Sequence, residues 1–156
     1  MASPAGYAPH PSETAEAQLA FVGHWLEGDL DVHIRRLALM LGYFPYHTRY
    51  SLKSESGFPD WLLLRPPRLV VVEAKRQGRW LTPPRVGRRG GRAGIGQAEW
   101  LRRWSCQPGT EVYLWWPTDA ISDIAVILQD GPHPEMASVR RTSAALAAPS
   151  TEERGA

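Results

Sequence analysis

The sequence predicts an α/β domain, a mixed β-sheet flanked by helices, and three observations carry that prediction. Leu69-Val70-Val71-Val72-Glu73-Ala74-Lys75 is apolar at first on both alternating faces, as a central strand buried from two sides must be. Two shorter strand-like runs precede it and one follows, at 111–116. Between and around them, apolar residues recur with helical spacing, as in Leu30, Ile34, Leu37, Ala38 and Leu41. A length of 156 residues suits one domain able to bury a core without covalent staples. Cys106 is the only cysteine, so no intramolecular disulfide forms, and it reads as a small buried hydrophobe.

Taken in order, residues 1–11 are rich in Ala, Pro and Gly and read as a disordered lead-in. They lack a basic start and an apolar stretch, so no signal peptide is expected, and no run approaches a membrane span. The expectation is a cytoplasmic, intracellular protein with no membrane partner. Ser12 can cap a helix over 12–26 with Ala17, Ala20, Phe21, His24 and Trp25 on one side. Gly28 suggests a break before the Leu30 stripe, which Gly42 ends. At the N-terminal end of that stripe stands Glu27, where favourable interaction with the helix dipole is one sufficient explanation. Asp31, one position beyond Leu30, is expected to point away from the core.

A first strand is expected over 43–50 and a second over 61–64, followed by the tight connection Arg65-Pro66-Pro67-Arg68 into the central strand. Gly57 lets the chain turn in before Pro59 fixes the backbone ahead of Asp60. The segment 76–95 is irregular, with a Gly-Arg cluster, Gly87-Arg88-Arg89-Gly90-Gly91-Arg92. Trp100, Leu101 and Trp104 form the apolar side of a short helix beginning near Gly96. After the strand at 111–116, Pro117 opens a last helix carrying Ile121, Ile124, Ala125 and Leu128. The Pro, Ala and Ser content of 130–156 predicts a disordered tail, leaving 12–129 as the domain.

Two carboxylates and an ammonium converge in this layout. Glu73 and Lys75 emerge on one face at the end of the central strand, and Asp60 lies one strand away. Placing such groups beside the most apolar run in the chain is costly without a purpose. The charge distribution adds a second signal. Between Arg76 and Arg103 there are eight arginines against one acid, Glu99, whereas the whole chain carries only +2, so the rest is net acidic. Arginine almost without lysine favours phosphate, because the guanidinium fork matches phosphate oxygens, and points to DNA as a partner.

Gly57-Phe58-Pro59-Asp60, then Glu73-Ala74-Lys75, then Gln97-Ala98-Glu99-Trp100-Leu101 resembles the VRR-NUC branch of the PD-(D/E)XK nuclease superfamily, with Pro59-Asp60 as the "PD" and Glu73-Ala74-Lys75 as the "EXK". His47-Thr48-Arg49 and Tyr113-Leu114-Trp115-Trp116-Pro117-Thr118-Asp119 fit the same pattern, so the resemblance covers about residues 27–119. It implies a restriction-endonuclease-like core and metal-dependent hydrolysis of DNA phosphodiesters, often on branched, flapped or Holliday-junction DNA. It further implies Mg²⁺ or Mn²⁺ held by Asp60, Glu73, the Ala74 carbonyl and Glu27, with Lys75 and Gln97 completing the catalytic set. The family passes from EXK to the Gln helix by a shorter connection, so 83–95 reads as a basic insertion. His47, Arg49, Arg76, Arg85, Arg88, Arg89 and Arg92 are the expected DNA contacts. Symmetric cutting of two strands would require a homodimer. The alternative is a DNA-binding or assembly module without turnover, in which Glu73 and Lys75 form a buried structural ion pair.

Overall fold

A computed structural model of the chain describes residues 11–48, 55–83 and 94–148. Among these residues five helices, α1 (Pro11–Gly23), α2 (Glu27–Met40), α3 (Gln97–Ser105), α4 (Asp123–Asp130) and α5 (Ala137–Ala147), flank a four-stranded sheet. The strands β1 (Phe44–His47), β2 (Trp61–Arg65), β3 (Arg68–Ala74) and β4 (Thr110–Trp115) lie in sequence order. β1–β2 and β2–β3 are antiparallel and β3–β4 is parallel, so the sheet is mixed, as the sequence predicts. A parallel pair needs a long crossover, and the chain between β3 and β4 contains α3.

Residue parity on β3 divides the core. Val70 and Val72, with Trp61, Leu63, Tyr113 and Trp115, face α2 and α4 and pack on Leu30, Ile34 and Ile127. Val71 and Glu73 face the opposite way, where α3 and α5 cover β3 and β4. Because the hydrogen-bonded register pairs Leu62 with Val71, the side chains of β2 obey the same division.

The region after residue 130 departs from expectation. It contains α5, which is packed along the free edge of β4. Thr142 Oγ1 accepts the main-chain N–H of Leu114 at 2.9 Å, and Arg141 Nη1 donates to the Leu114 carbonyl at 3.1 Å. Arg141 also makes a buried two-pronged contact with Asp119, at 2.6 and 3.2 Å, and lies 3.8 Å over the Trp116 ring. The edge of β4 is therefore satisfied by side chains of a helix, a common protection for an exposed strand. The chain predicted as one last helix after Pro117 is instead a single 3₁₀ turn, Pro117–Ala120, then α4 and then α5.

Smaller departures have local causes. α2 begins at Glu27, with Gly28 inside it, because Asp29 Oδ2 accepts the Leu26 N–H at 2.9 Å and fixes the start one turn early. Cys106 is exposed at the C-terminus of α3, not buried. At the far end of the sheet, Arg65 and Arg68 donate to the Leu41, Ile127 and Leu128 carbonyls, closing the C-terminal ends of α2 and α4. No helix of the described residues is long and apolar enough to cross a membrane.

Candidate functional site

The site lies at the C-terminal end of β3, on the face turned toward α3. Glu73 is apolar-strand in position and acidic in kind, with only 2% of its surface exposed. Its Oε1 receives Lys75 Nζ at 3.1 Å and the side-chain amide of Gln97. Its Oε2 is buried and has no hydrogen-bond partner among the described residues. Asp60 approaches from the start of β2, where its Oδ2 accepts the main-chain N–H of Ala74 at 2.9 Å. This bond ties the acid to the central strand one residue from Glu73.

Burial raises both acids. It lifts Asp60 to about 6, with a further push from the Asp31 carboxylate, while the Ala74 N–H and Lys75 draw it back. Glu73 is lifted to about 8, first by burial and then by the Asp60 carboxylate, with Lys75 opposing. Among the described residues one ammonium faces two buried carboxylates. Burial and mutual repulsion both favour a proton on the pair, and a multiply charged cation would relieve both.

Gln97 is held from two sides. Its amide N–H donates to Glu73, and its Oε1 accepts the Thr82 N–H at 2.7 Å. The chain leaving β3 is thereby strapped across the start of α3. The same strap is pinned by Trp116, whose indole donates to the Arg79 carbonyl at 2.7 Å and meets Trp80 edge-on.

Gly57 joins the other side of the site. It has φ +80°, and a Cβ placed there would stand 2.6 Å from the Ile95 carbonyl and 3.0 Å from the Gln97 nitrogen. Only glycine lets the Gly57–Asp60 turn approach the first turn of α3 so closely. Phe58 then packs edge-on to Trp100 and Trp104, and the Trp100 indole donates to the Ser56 carbonyl at 3.2 Å.

Asp60, Glu73, Lys75 and Gln97 are thus gathered, and Glu27 is not. Glu27 is exposed on the first turn of α2 and reaches Asp60 only through the field of its charge. Asp31, expected to point away, is partly buried and touches the pair only through the push of its charge on Asp60. Its Oδ1 accepts the Trp61 indole N–H at 2.6 Å, and its Oδ2 lies 3.5 Å from His47 Nε2. The large Trp61 ring reaches across to α2, and this contact turns Asp31 inward. His47 stacks on Trp61 with ring centroids 4.3 Å apart, on the sheet face opposite Glu73. Its packing accounts for its position. Arg76 is exposed directly after Lys75. Arg49, Arg85, Arg88, Arg89 and Arg92 lie outside the described residues, as do most of 83–95, residues 1–10 and the end of the tail.

Compared with protein-family models, curated proteins and solved structures, the chain finds no match. The site must therefore be judged on its own donors. Among the described residues no group of three or more His, Cys, Asp or Glu is arranged to hold a metal ion. The two carboxylates offer hard oxygen donors, one with an unpartnered oxygen. That fits Mg²⁺, which is commonly held by one or two carboxylates and keeps several waters. Sequence reasoning misses Asp31, concealed by a helix start set too late, and Thr82, a backbone donor with no sequence signal. Asp31 does carry one clue, its position one turn after Glu27.

Proposed function

We propose that the chain hydrolyses phosphodiester bonds in DNA with Mg²⁺ or Mn²⁺, as an endonuclease with a restriction-endonuclease-like core. The supporting observation is the Asp60–Glu73 pair: two acids raised by burial at a strand end, beside one lysine and one oriented amide. Among the described residues two buried carboxylates face a single lysine, an arrangement that a bound divalent cation would complete. Asp60, Glu73 and the Ala74 carbonyl would hold the ion. When bound, it supplies positive charge beside the phosphate and acidifies water.

The chain's own groups do the rest. Lys75 can hold the attacking water in line and offset negative charge developing on the phosphoryl oxygens. Gln97 keeps Glu73 Oε1 turned toward Lys75, so that Oε2 is left for the cation. Arg76 and the arginines of the following segment would grip the DNA backbone.

Purified protein with end-labelled linear and branched DNA, in Mg²⁺, Mn²⁺ or EDTA, tests this reading. Cleavage should require the cation and disappear in Asp60→Ala and Glu73→Ala, with DNA binding largely kept. Equal cleavage by wild type and both variants would refute the assignment. That no third acid is gathered among the described residues favours a second reading, a DNA-binding module on the same core without turnover. That reading predicts DNA binding in EDTA and no cleavage with any divalent ion.

A further inference from the structure

The sheet face that carries Asp60 and Glu73 is only half covered. α3 and α5 lie over β3 and β4, whereas the β1–β2 half is open among the described residues. Cross-strand partners share a face, so Phe44 with Leu64 and Tyr46 with Leu62 form its surface. Phe44 is 75% exposed, Tyr46 61% and Leu64 44%. Leu62 is followed back along β2, two residues away and on the same side, by Asp60. The aromatic surface therefore runs directly into the acid pair.

We infer that Phe44 and Tyr46 are a stacking platform for unpaired bases, and that the DNA substrate carries a single-stranded segment next to the cleaved bond. The inference rests on the nuclease reading for its partner and on the sheet geometry for its form. Residues two apart on a strand are separated by about 6.7 Å. That is about twice the roughly 3.4 Å per-strand repeat of a duplex. The two rings thus suit successive bases of a drawn-out single strand and not a stacked helix. Stacking on exposed sheet aromatics is tolerant of sequence, since every base has a π-face.

A second copy of the chain is the other occupant to weigh, and two features disfavour it. The Thr48 N–H donates to the Asp60 carbonyl at 2.7 Å, so the alternation of an antiparallel ladder turns the main-chain groups of Pro45 and His47 outward. Proline has no N–H, which removes one of these two outward donors and blunts the edge against strand addition. The patch is also four side chains wide, whereas a stable dimer commonly uses about 20 residues on each side.

The test is a binding titration in EDTA, followed by anisotropy, with a duplex bearing a single-stranded oligothymidine arm and with the same duplex lacking it. Wild type should prefer the armed DNA. The double variant F44A/Y46A should lose that preference, by about 5-fold to 150-fold for each ring that held a base. Its affinity for the blunt duplex should stay the same, and Tyr46→Trp should keep the preference. Both side chains are exposed, so the fold should survive, which circular dichroism checks. A 2-aminopurine base in the arm gives a readout on wild type alone, its fluorescence being quenched on stacking. Equal binding of armed and blunt DNA by wild type, or an unquenched arm, overturns the platform. So does a wild-type dimer that F44A/Y46A dissociates. Because nothing is cleaved in EDTA, a failed platform leaves the nuclease reading standing, and a failed nuclease leaves the platform testable.

Discussion

At the scale of single residues, protonation of Asp60 and Glu73 governs the site. In the unfolded chain both acids titrate near their ordinary values of about 4. In the fold they titrate at about 6 and about 8. Between these limits the folded state binds more protons at this pair than the unfolded one, so the pair's contribution to stability is greatest at low pH and falls as pH rises from about 4 to 8. The loss should be on the order of a few kcal/mol. Urea unfolding at pH 5 and pH 8 in EDTA measures it; Glu73→Gln should flatten the dependence and Mg²⁺ should offset it. A midpoint unchanged across that range would contradict the raised acids. Gly57 offers a different residue-scale test. Gly57→Ala places a Cβ against backbone and forces a left-handed conformation, which costs roughly 1–3 kcal/mol for the strain alone. Since the obstructed atoms belong to Ile95 and Gln97, the proposed DNA cleavage should slow more than the loss of thermal stability implies.

At the scale of elements, α5 is held mainly by polar contacts. Arg141→Ala leaves Asp119 buried without its cation and should cost about 3–5 kcal/mol, read from chemical unfolding. A chain ended after Asp130 exposes the β4 edge and should aggregate at concentrations where the full chain does not. This helix also shows where the sequence stops being legible. β3 can be read because seven consecutive positions are apolar or end in the charged pair, and that pattern needs no knowledge of the partners. The buried positions of α5 are Ser138, Arg141, Thr142 and Ala145, a helical stripe written mostly in polar residues. Their partners, Asp123, Asp119 and the Leu114 backbone, are distant in sequence, so composition alone suggests a solvated tail. Asp60, Glu73, Lys75 and Gln97 are legible as chemistry without an apolar excuse. Asp31 is not, because its orientation depends on a tryptophan from another strand.

At the scale of the whole molecule, charge is segregated. Arg85, Arg88, Arg89 and Arg92 follow the strand that carries Glu73 and Lys75, and the rest of the chain is net acidic. Under the proposed DNA-binding role, replacing these four by alanine should flatten the slope of log affinity against log salt by roughly 0.9 for each phosphate that is no longer neutralised. Preference among base sequences should hardly change, as backbone contacts position more than they specify. A variant with the wild-type salt slope would shift the backbone grip to Arg76 and Arg103, both exposed on the described surface.

The helix along β4 also sets a schedule for biosynthesis. β4 is complete before any residue of α5 has been made, and its outward N–H and carbonyl groups have no other side-chain partner of the kind that Thr142 and Arg141 provide among the described residues. At roughly 5–20 residues per second, translation leaves that edge uncovered on the order of seconds. Co-translational chaperone demand should therefore rise once β4 has been made and fall when α5 docks.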